Sequence, residues 1–263
     1  MLTGILFIAG ILNAEEYLPE FKIKFDNEIK ALGKFASSGI ITTSDTIDFT
    51  DGIEGNALLI GDLPSKTFSV FFQDNFPFER GSLSFWISSK DWNYNDNKHH
   101  IFLKTDFYKK GTPVTLVNND KPLSSYNIYK YANPHPETGG LGIVWMASED
   151  DSNNSWNCNC DAKNLRGWKT GSWHNITITW GKKENNKHPS LKLFIDGESI
   201  SICNRNFNFS ETALLTFGTS WGSKGKTAID EIELYAKVLT EDEIVDIYNS
   251  TMEKFENNKE KEN

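Results

Sequence analysis

Short runs in which apolar and polar residues alternate recur along most of the chain, bounded by Gly, Asn and Asp. Side chains on a strand point to opposite faces in turn, so such alternation marks a strand with one buried face. The runs are FKIKFD (Phe21 to Asp26), NALLIG (Asn56 to Gly61), TFSVFFQ (Thr67 to Gln73), GSLSFWIS (Gly81 to Ser88) and HIFLKT (His100 to Thr105). They continue with LGIVWMA (Leu141 to Ala147), WHNITITW (Trp173 to Trp180), LKLFID (Leu191 to Asp196), ALLTFGTS (Ala213 to Ser220) and AIDEIELY (Ala228 to Tyr235). Leu83, Phe85 and Ile87 share one face, and Ser84, Trp86 and Ser88 the other. Ile176, Ile178 and Trp180 oppose Asn175, Thr177 and Thr179, while Leu191, Leu193 and Ile195 oppose Lys192, Phe194 and Asp196. Each strand thus offers a greasy face to the space between two sheets, which predicts an antiparallel β-sandwich. Asp196-Gly197 supplies the positive φ of a tight hairpin, with Glu198 to Ile202 as the returning strand.

One helix is predicted. Thr240 caps it, Glu243 three residues later completes a capping box, and Ile244, Ile247 and Tyr248 fall on one face. Beyond Phe255 the sequence ENNKEKEN has nothing to bury, so residues 251–263 are expected to form a charged, disordered tail. Two long connections, Asp106 to Gly140 and Ser148 to Ser172, are expected to be functional or disordered loops. The first carries Tyr108, Tyr126, Tyr129, Tyr131 and His135. The second carries Trp156, Trp168 and two cysteines, and a third segment, Lys90 to Lys98, carries Trp92 and Tyr94.

Residues 1–14 hold an apolar run, Ile5 to Leu12, followed by the small residue Ala14 and the polar pair Glu15-Glu16. This reads as a secretory leader and is too short to span a bilayer as a helix. The body of the domain is then 15–250, exported, with no transmembrane segment. In an oxidising compartment Cys203 can pair with Cys158 or Cys160, whereas adjacent Cys-x-Cys pairing is sterically poor. The three cysteines with His99 and His100 match no zinc spacing. Sequons at Asn153, Asn175, Asn208 and Asn249 matter only if the secretory pathway is eukaryotic. A formal net charge of -9 repels phosphate backbones, which excludes nucleic acid as the expected partner. With 18 Phe, 8 Tyr and 8 Trp, the chain is rich in large aromatics, which favour pleated, half-buried strands.

Several landmarks follow one another in a recognisable order. They are FDN (Phe25 to Asn27), DGIEGNALLIGD (Asp51 to Asp62), SLSFWIS (Ser82 to Ser88), GSWHNITITW (Gly171 to Trp180), LKLFIDGESI (Leu191 to Ile200) and AIDEIELYAKVLTEDEIVDIY (Ala228 to Tyr248). The chain resembles the concanavalin A-like lectin/glucanase superfamily, laminin G-like, over nearly its whole length after the leader. The resemblance implies an all-β, two-sheet antiparallel jelly roll with one C-terminal helix, its first and last strands side by side. It also implies a structural calcium ion near those strands, at Asp26, Asn27 and Asp230, with carbonyls from Gly52 or Gly55.

Such folds include glycan-cleaving enzymes, which need two carboxyl groups across a cleft. Glu231 and Glu233 are the nearest candidates, but Asp230, Glu231 and Glu233 do not match the Glu-x-Asp-x-x-Glu spacing of the family 16-type glucanases. His174, in phase with Ile176 and Ile178, reads as a buried, hydrogen-bonded structural histidine. The expected function is therefore a non-catalytic module that binds a glycan or glycoprotein. Sugar rings stack on aromatic planes while amides and carboxylates bond their hydroxyls. Trp92 and Tyr94, with Asn93 and Asn95, supply that mixture, and Trp156 and Trp168 form a second wall. Trp86 and Phe194 either floor a groove or pack under a cover. A protein-binding scaffold domain without sugar affinity is the alternative, and a diverged hydrolase or lyase the third reading.

Overall fold

The computed structural model describes residues 18–26, 28–34, 39–43, 48–61, 67–93, 100–116, 121–130, 143–149, 155–159, 168–182, 189–203, 209–218 and 225–262. Within them lie sixteen strands and one long helix. In chain order the strands are β1 (Phe21–Lys24), β2 (Lys30–Leu32), β3 (Gly39–Thr43), β4 (Asp48–Asp51), β5 (Asn56–Ile60), β6 (Phe68–Phe72), β7 (Arg80–Ser89) and β8 (His100–Tyr108). There follow β9 (Ser124–Lys130), β10 (Ile143–Glu149), β11 (Ser155–Asn159), β12 (Trp173–Lys182), β13 (Pro189–Ile195), β14 (Glu198–Cys203), β15 (Thr212–Phe217) and β16 (Thr227–Tyr235). The helix, α1, is Glu241–Glu262.

The strands form two antiparallel sheets. One runs β14-β13-β12-β7-β16-β1-β2, with the β4–β5 hairpin attached to β16, and the other runs β11-β10-β9-β8-β15-β6-β3. The expected adjacency of the first and last strands holds: Phe21 pairs with Leu234, and Ile23 with Ile232. All the alternating runs are strands, and Asp196 (φ 52) and Gly197 (φ 82) form the predicted turn between β13 and β14. Both turn residues sit at positive φ, as the tight two-residue turn requires.

The dry layer between the sheets is aromatic. Leu83, Phe85 and Ile87 face it, with Ile176, Ile178 and Trp180 from β12 and Leu215 and Phe217 from β15. Phe76 stacks on Trp180 at 5.4 Å, and Phe85 meets Phe217 edge-on at 5.6 Å. Edge and offset contacts of this kind add about 0.5–1.5 kcal/mol beyond area burial.

A third layer covers the outer face of the first sheet. Thr240 and Glu243 form the predicted capping box: the Glu243 N–H donates to Thr240 Oγ1 at 3.2 Å, and the Thr240 N–H to Glu243 Oε2 at 2.7 Å. From that start α1 lays Tyr248, Met252 and Phe255 over Trp86, Trp173, Ile53 and Ala228, and Ile244 and Ile247 over Phe194 and Tyr235. Tyr248 stacks on Trp86 at 5.5 Å and 13°. Trp86 and Phe194 are therefore packed beneath a cover and do not floor an open groove. The helix also continues through the segment expected to be a disordered tail, as far as Glu262. Glu and Lys are good helix formers, and a helix already seated through Phe255 extends at little cost.

The two long connections are not loops throughout. Tyr126 and Tyr129 belong to β9, which pairs with β8 and β10, and β11 lies inside the second connection. Tyr108, Tyr126 and Tyr129 are buried strand residues.

Candidate functional site

Register places four segments at one end of the sandwich. Trp173 of β12 pairs with Ser88 of β7, and Thr227 of β16 with Ser89. The segment leaving β7 (Ser89 to Asn93), the one entering β12 (Trp168 to Ser172), the Asp196–Gly197 turn and the start of β16 thus share a rim. Backbone bonds tie them together: the Gly171 N–H donates to Ser89 O at 2.7 Å, and the Lys90 N–H to Lys226 O at 2.9 Å. The Lys226 N–H donates to Asp91 Oδ1 at 2.6 Å. Two of the three aromatic-bearing segments picked out from the sequence meet here. Thr170 Oγ1 lies 3.2 Å from Trp92 O and 3.1 Å from Asn93 Oδ1, with one proton to share between them.

The aromatic rings at this rim face inward. Trp92 is 3% exposed, stacked on His100 at 4.5 Å, with its Nε1–H donated to Thr227 Oγ1 at 2.9 Å. Ser89 Oγ bonds the Trp92 carbonyl and accepts its N–H. Trp168 is 7% exposed and stacks on His174 at 4.1 Å and 6°. Its Nε1–H is buried and has no hydrogen-bond partner among the described residues. What the rim presents outward is polar: Asn93 and Lys169 are exposed, and Thr170 and Ser172 flank them. Tyr94 and the side chain of Trp156 lie outside the described residues.

His174 is bonded on both ring nitrogens. Nδ1 lies 2.7 Å from Asp196 Oδ2, and Nε2 lies 2.8 Å from Ser172 Oγ. The other oxygen of Asp196 accepts the Asn175 N–H at 2.8 Å. The sequence predicts a buried, hydrogen-bonded histidine; the bonds are present but the side chain is only partly buried, and the partners were not legible because Asp196 stands 22 positions along the chain. A Ser-His-Asp chain invites comparison with a nucleophilic triad. Here Ser172 Oγ is drawn into a local turn, 2.6 Å from Lys169 O and accepting the Lys169 N–H at 3.1 Å. The Gly171 and Ser172 amides are spent on Ser89 O and Lys169 O. The neighbouring amides therefore supply no donor for a developing oxyanion, which is the larger part of acyl-transfer catalysis. The arrangement locks the rim.

Glu231 and Glu233 do not face one another across a cleft. Both converge on the Lys22 ammonium, Glu231 in close contact and Glu233 at 2.6 Å, and Glu231 also pairs with Lys24 at 3.6 Å. Burial alone would lower the Lys22 ammonium, but Glu233 and Glu231 outweigh it and hold it above its ordinary value. The Tyr235 hydroxyl donates to Glu233 at 2.6 Å.

Asp230 is fully buried and acts as a backbone anchor. Its Oδ2 accepts the N–H groups of Ile53 (3.0 Å) and Glu54 (3.3 Å), and its Oδ1 that of Glu231 (2.9 Å). Glu231 holds a left-handed φ of 46 at the point where β16 slips register against β7. Asp26 approaches the same Gly52–Gly55 turn from outside, so that a Cβ on Gly55 would lie 2.0 Å from Asp26 Oδ1 and one on Gly52 2.5 Å from Asp230 Oδ2. Asn27 lies outside the described residues. Among the described residues no three His, Cys, Asp or Glu side chains are grouped to hold a metal ion.

Cys203 is on β14, the edge of the first sheet, and Cys158 on β11, the edge of the second; these strands lie beside one another. Cys160 is outside the described residues. Among the described residues no helix is long and apolar enough to cross a membrane.

A family model for laminin G-type domains, described as concanavalin A-like lectin/glucanases superfamily, matches residues 72–245. No curated protein matches the chain by sequence. Among solved structures, the binding domain of Paraclostridial Mosquitocidal Protein 1 superposes with a TM-score of 0.61 at 16% identity, over 89% of this chain and 52% of that one. The botulinum neurotoxin type G receptor binding domain gives 0.58 at 14%, over 89% and 51%. The botulinum neurotoxin serotype D ligand binding domain in complex with N-acetylneuraminic acid gives 0.60 at 15%, over 88% and 50%. The chain spans about half the length of these structures. At this identity the likeness is one of fold, and it does not place the sugar.

Proposed function

The chain belongs to the laminin G-type family of the concanavalin A-like lectin/glucanases superfamily, and from that premise we propose that it is an exported binding module that takes a glycan or a glycoprotein at its loop rim. One observation carries this reading: at a single rim, the exposed polar groups of Asn93 and Thr170 meet at 3.1 Å, on loops that strand register brings together. Amide and hydroxyl groups around one exposed spot are the groups that bond sugar hydroxyls. The three solved neighbours named above are binding domains by name, one with N-acetylneuraminic acid, and they lend support. The rings of Trp86, Trp92, Trp168 and Phe194 are taken up in packing, and the two other aromatic candidates, Tyr94 and the side chain of Trp156, lie outside the described residues.

A glycan array probed with the whole chain tests the reading. Binding that the Asn93→Ala/Thr170→Ala double variant abolishes supports it, and a folded sample that binds nothing on the array overturns it. The protein-scaffold alternative gains nothing from the outer face of the first sheet, since α1 covers Trp86 and Phe194. The calcium expectation rests on Asp26, Asn27 and Asp230; a thermal midpoint that does not rise with added Ca²⁺ sets it aside.

A further inference from the structure

Beyond Phe255 the helix α1 buries no large apolar side chain, yet it runs on beside the sandwich. Thr251, Lys254, Asn258 and Lys261 recur at helical spacing and so share one face. Opposite that face stand Ile53 and Glu54, and between the two walls lies an open cleft of about 220 Å³. Both walls are fixed. The N–H groups of Ile53 and Glu54 are held by Asp230, and Met252 and Phe255 pin the helix to the sheet. The volume is below the roughly 300–1,000 Å³ of pockets that take drug-sized ligands, so the occupant is one small ring or acidic group.

The lining is selective in charge. Lys254 and Lys261 are exposed ammoniums on one wall, while the carboxylate opposite, Glu54, is partly neutralised by Lys24 at 3.4 Å. The chain as a whole carries -9, so its overall field does not attract anions and any attraction is local to this cleft. Ammonium groups bind carboxylate or sulfate through charge-assisted hydrogen bonds, and the Asn258 amide and Thr251 hydroxyl suit neighbouring hydroxyls.

We propose that the cleft between the end of α1 and the Ile53–Glu54 turn binds the acidic group of an anionic saccharide, with Lys254 and Lys261 taking its carboxylate or sulfate. The saccharide half rests on the glycan reading above; the anionic half rests on the cleft. This is a second site, separate from the Asn93–Thr170 rim.

The test is calorimetric titration of the whole chain with three tetrasaccharides: one containing glucuronate, its sulfated counterpart and a neutral one. The acidic probes bind and the neutral one does not compete with them. The Lys254→Ala/Lys261→Ala variant weakens acidic binding roughly tenfold or more, as loss of charge-assisted hydrogen bonds implies. Glu54→Gln strengthens it, and Asn93→Ala/Thr170→Ala leaves it unchanged. The stronger of the two acidic probes identifies carboxylate or sulfate as the group held. Acidic probes that bind no better than the neutral one, or binding indifferent to the two lysines, overturn the proposal. Binding lost in the rim variant but kept in the lysine variant also overturns it, while leaving the glycan reading intact. Failure of all three probes to bind overturns the proposal alone, since the glycan reading is decided by the array.

Discussion

The carboxylate of Asp230 accepts the backbone N–H of Ile53 at 3.0 Å, a bond between residues 177 positions apart. It joins the last strand to the β4–β5 turn and fixes one wall of the α1 cleft. Burial, with Glu231 beside it, pushes the Asp230 carboxyl up to about 7 from its ordinary 3.8. The folded chain thus keeps a proton that the unfolded chain has released by about pH 5, and stability falls as pH rises from about 4 towards 7. Asp230→Asn removes that dependence. Urea midpoints measured for both chains from pH 4 to pH 7 should show the wild type losing on the order of 1–4 kcal/mol relative to the variant. Parallel curves would show that Asp230 titrates normally.

Trp86 and Tyr248 stack across the sheet–helix interface. Trp86→Ala should cost about 3–5 kcal/mol, Tyr248→Ala less, since Tyr248 is only half-buried. In a double-mutant cycle followed by circular dichroism, the pair should show a coupling of about 0.5–1.5 kcal/mol. Strict additivity would mean that the helix does not rest on that ring.

Asp196 combines a left-handed backbone with two side-chain bonds, to His174 and to the Asn175 N–H. Asp196→Ala should destabilise by roughly 2–3 kcal/mol. Asp196→Asn should cost clearly less, because asparagine tolerates the left-handed region and keeps one acceptor oxygen. Equal losses in thermal melts would assign the effect to charge and not to the turn.

Thr240→Ala removes one half of the capping box and should cost about 1 kcal/mol. A larger drop in helical signal than in global stability would show α1 fraying alone.

The neighbouring edges β11 and β14 bring two cysteine-bearing strands together. Mass mapping of chain recovered from an oxidising compartment should find Cys203 linked to Cys158 or Cys160. A free Cys203 would remove the bridge from the description.

The inward faces of β7, β12 and β13 were legible because alternation maps directly onto burial: Leu83, Phe85 and Ile87 went where their spacing put them. The helix start was legible because Thr240 and Glu243 are a local signal. Trp86 and Phe194 carried a further signal, since large apolar residues on the second face of a strand require a cover, and Ile244, Ile247 and Tyr248 were its complement. β9 was obscured because Ser125 and Asn127, its alternate positions, have the composition of a loop. At the rim, Asn93 was legible as a polar neighbour of Trp92. The Thr170, Ser172 and Asp196 contacts were not, since they depend on which loops the register brings together. The orientation of Trp92 and Trp168 was hidden for the same reason: sequence shows that a loop holds a tryptophan, not which way the ring turns.

Phe21 pairs with Leu234, and Leu234 with Leu83, whereas the Asn93–Thr170 contact lies beyond Ser89. Six strand residues, about 20 Å, separate the two levels. The chain therefore enters β1 at the end opposite the polar rim. A tether on that side, to a surface or to another module, would leave the rim pointing away from its anchor, as a probe points from its handle.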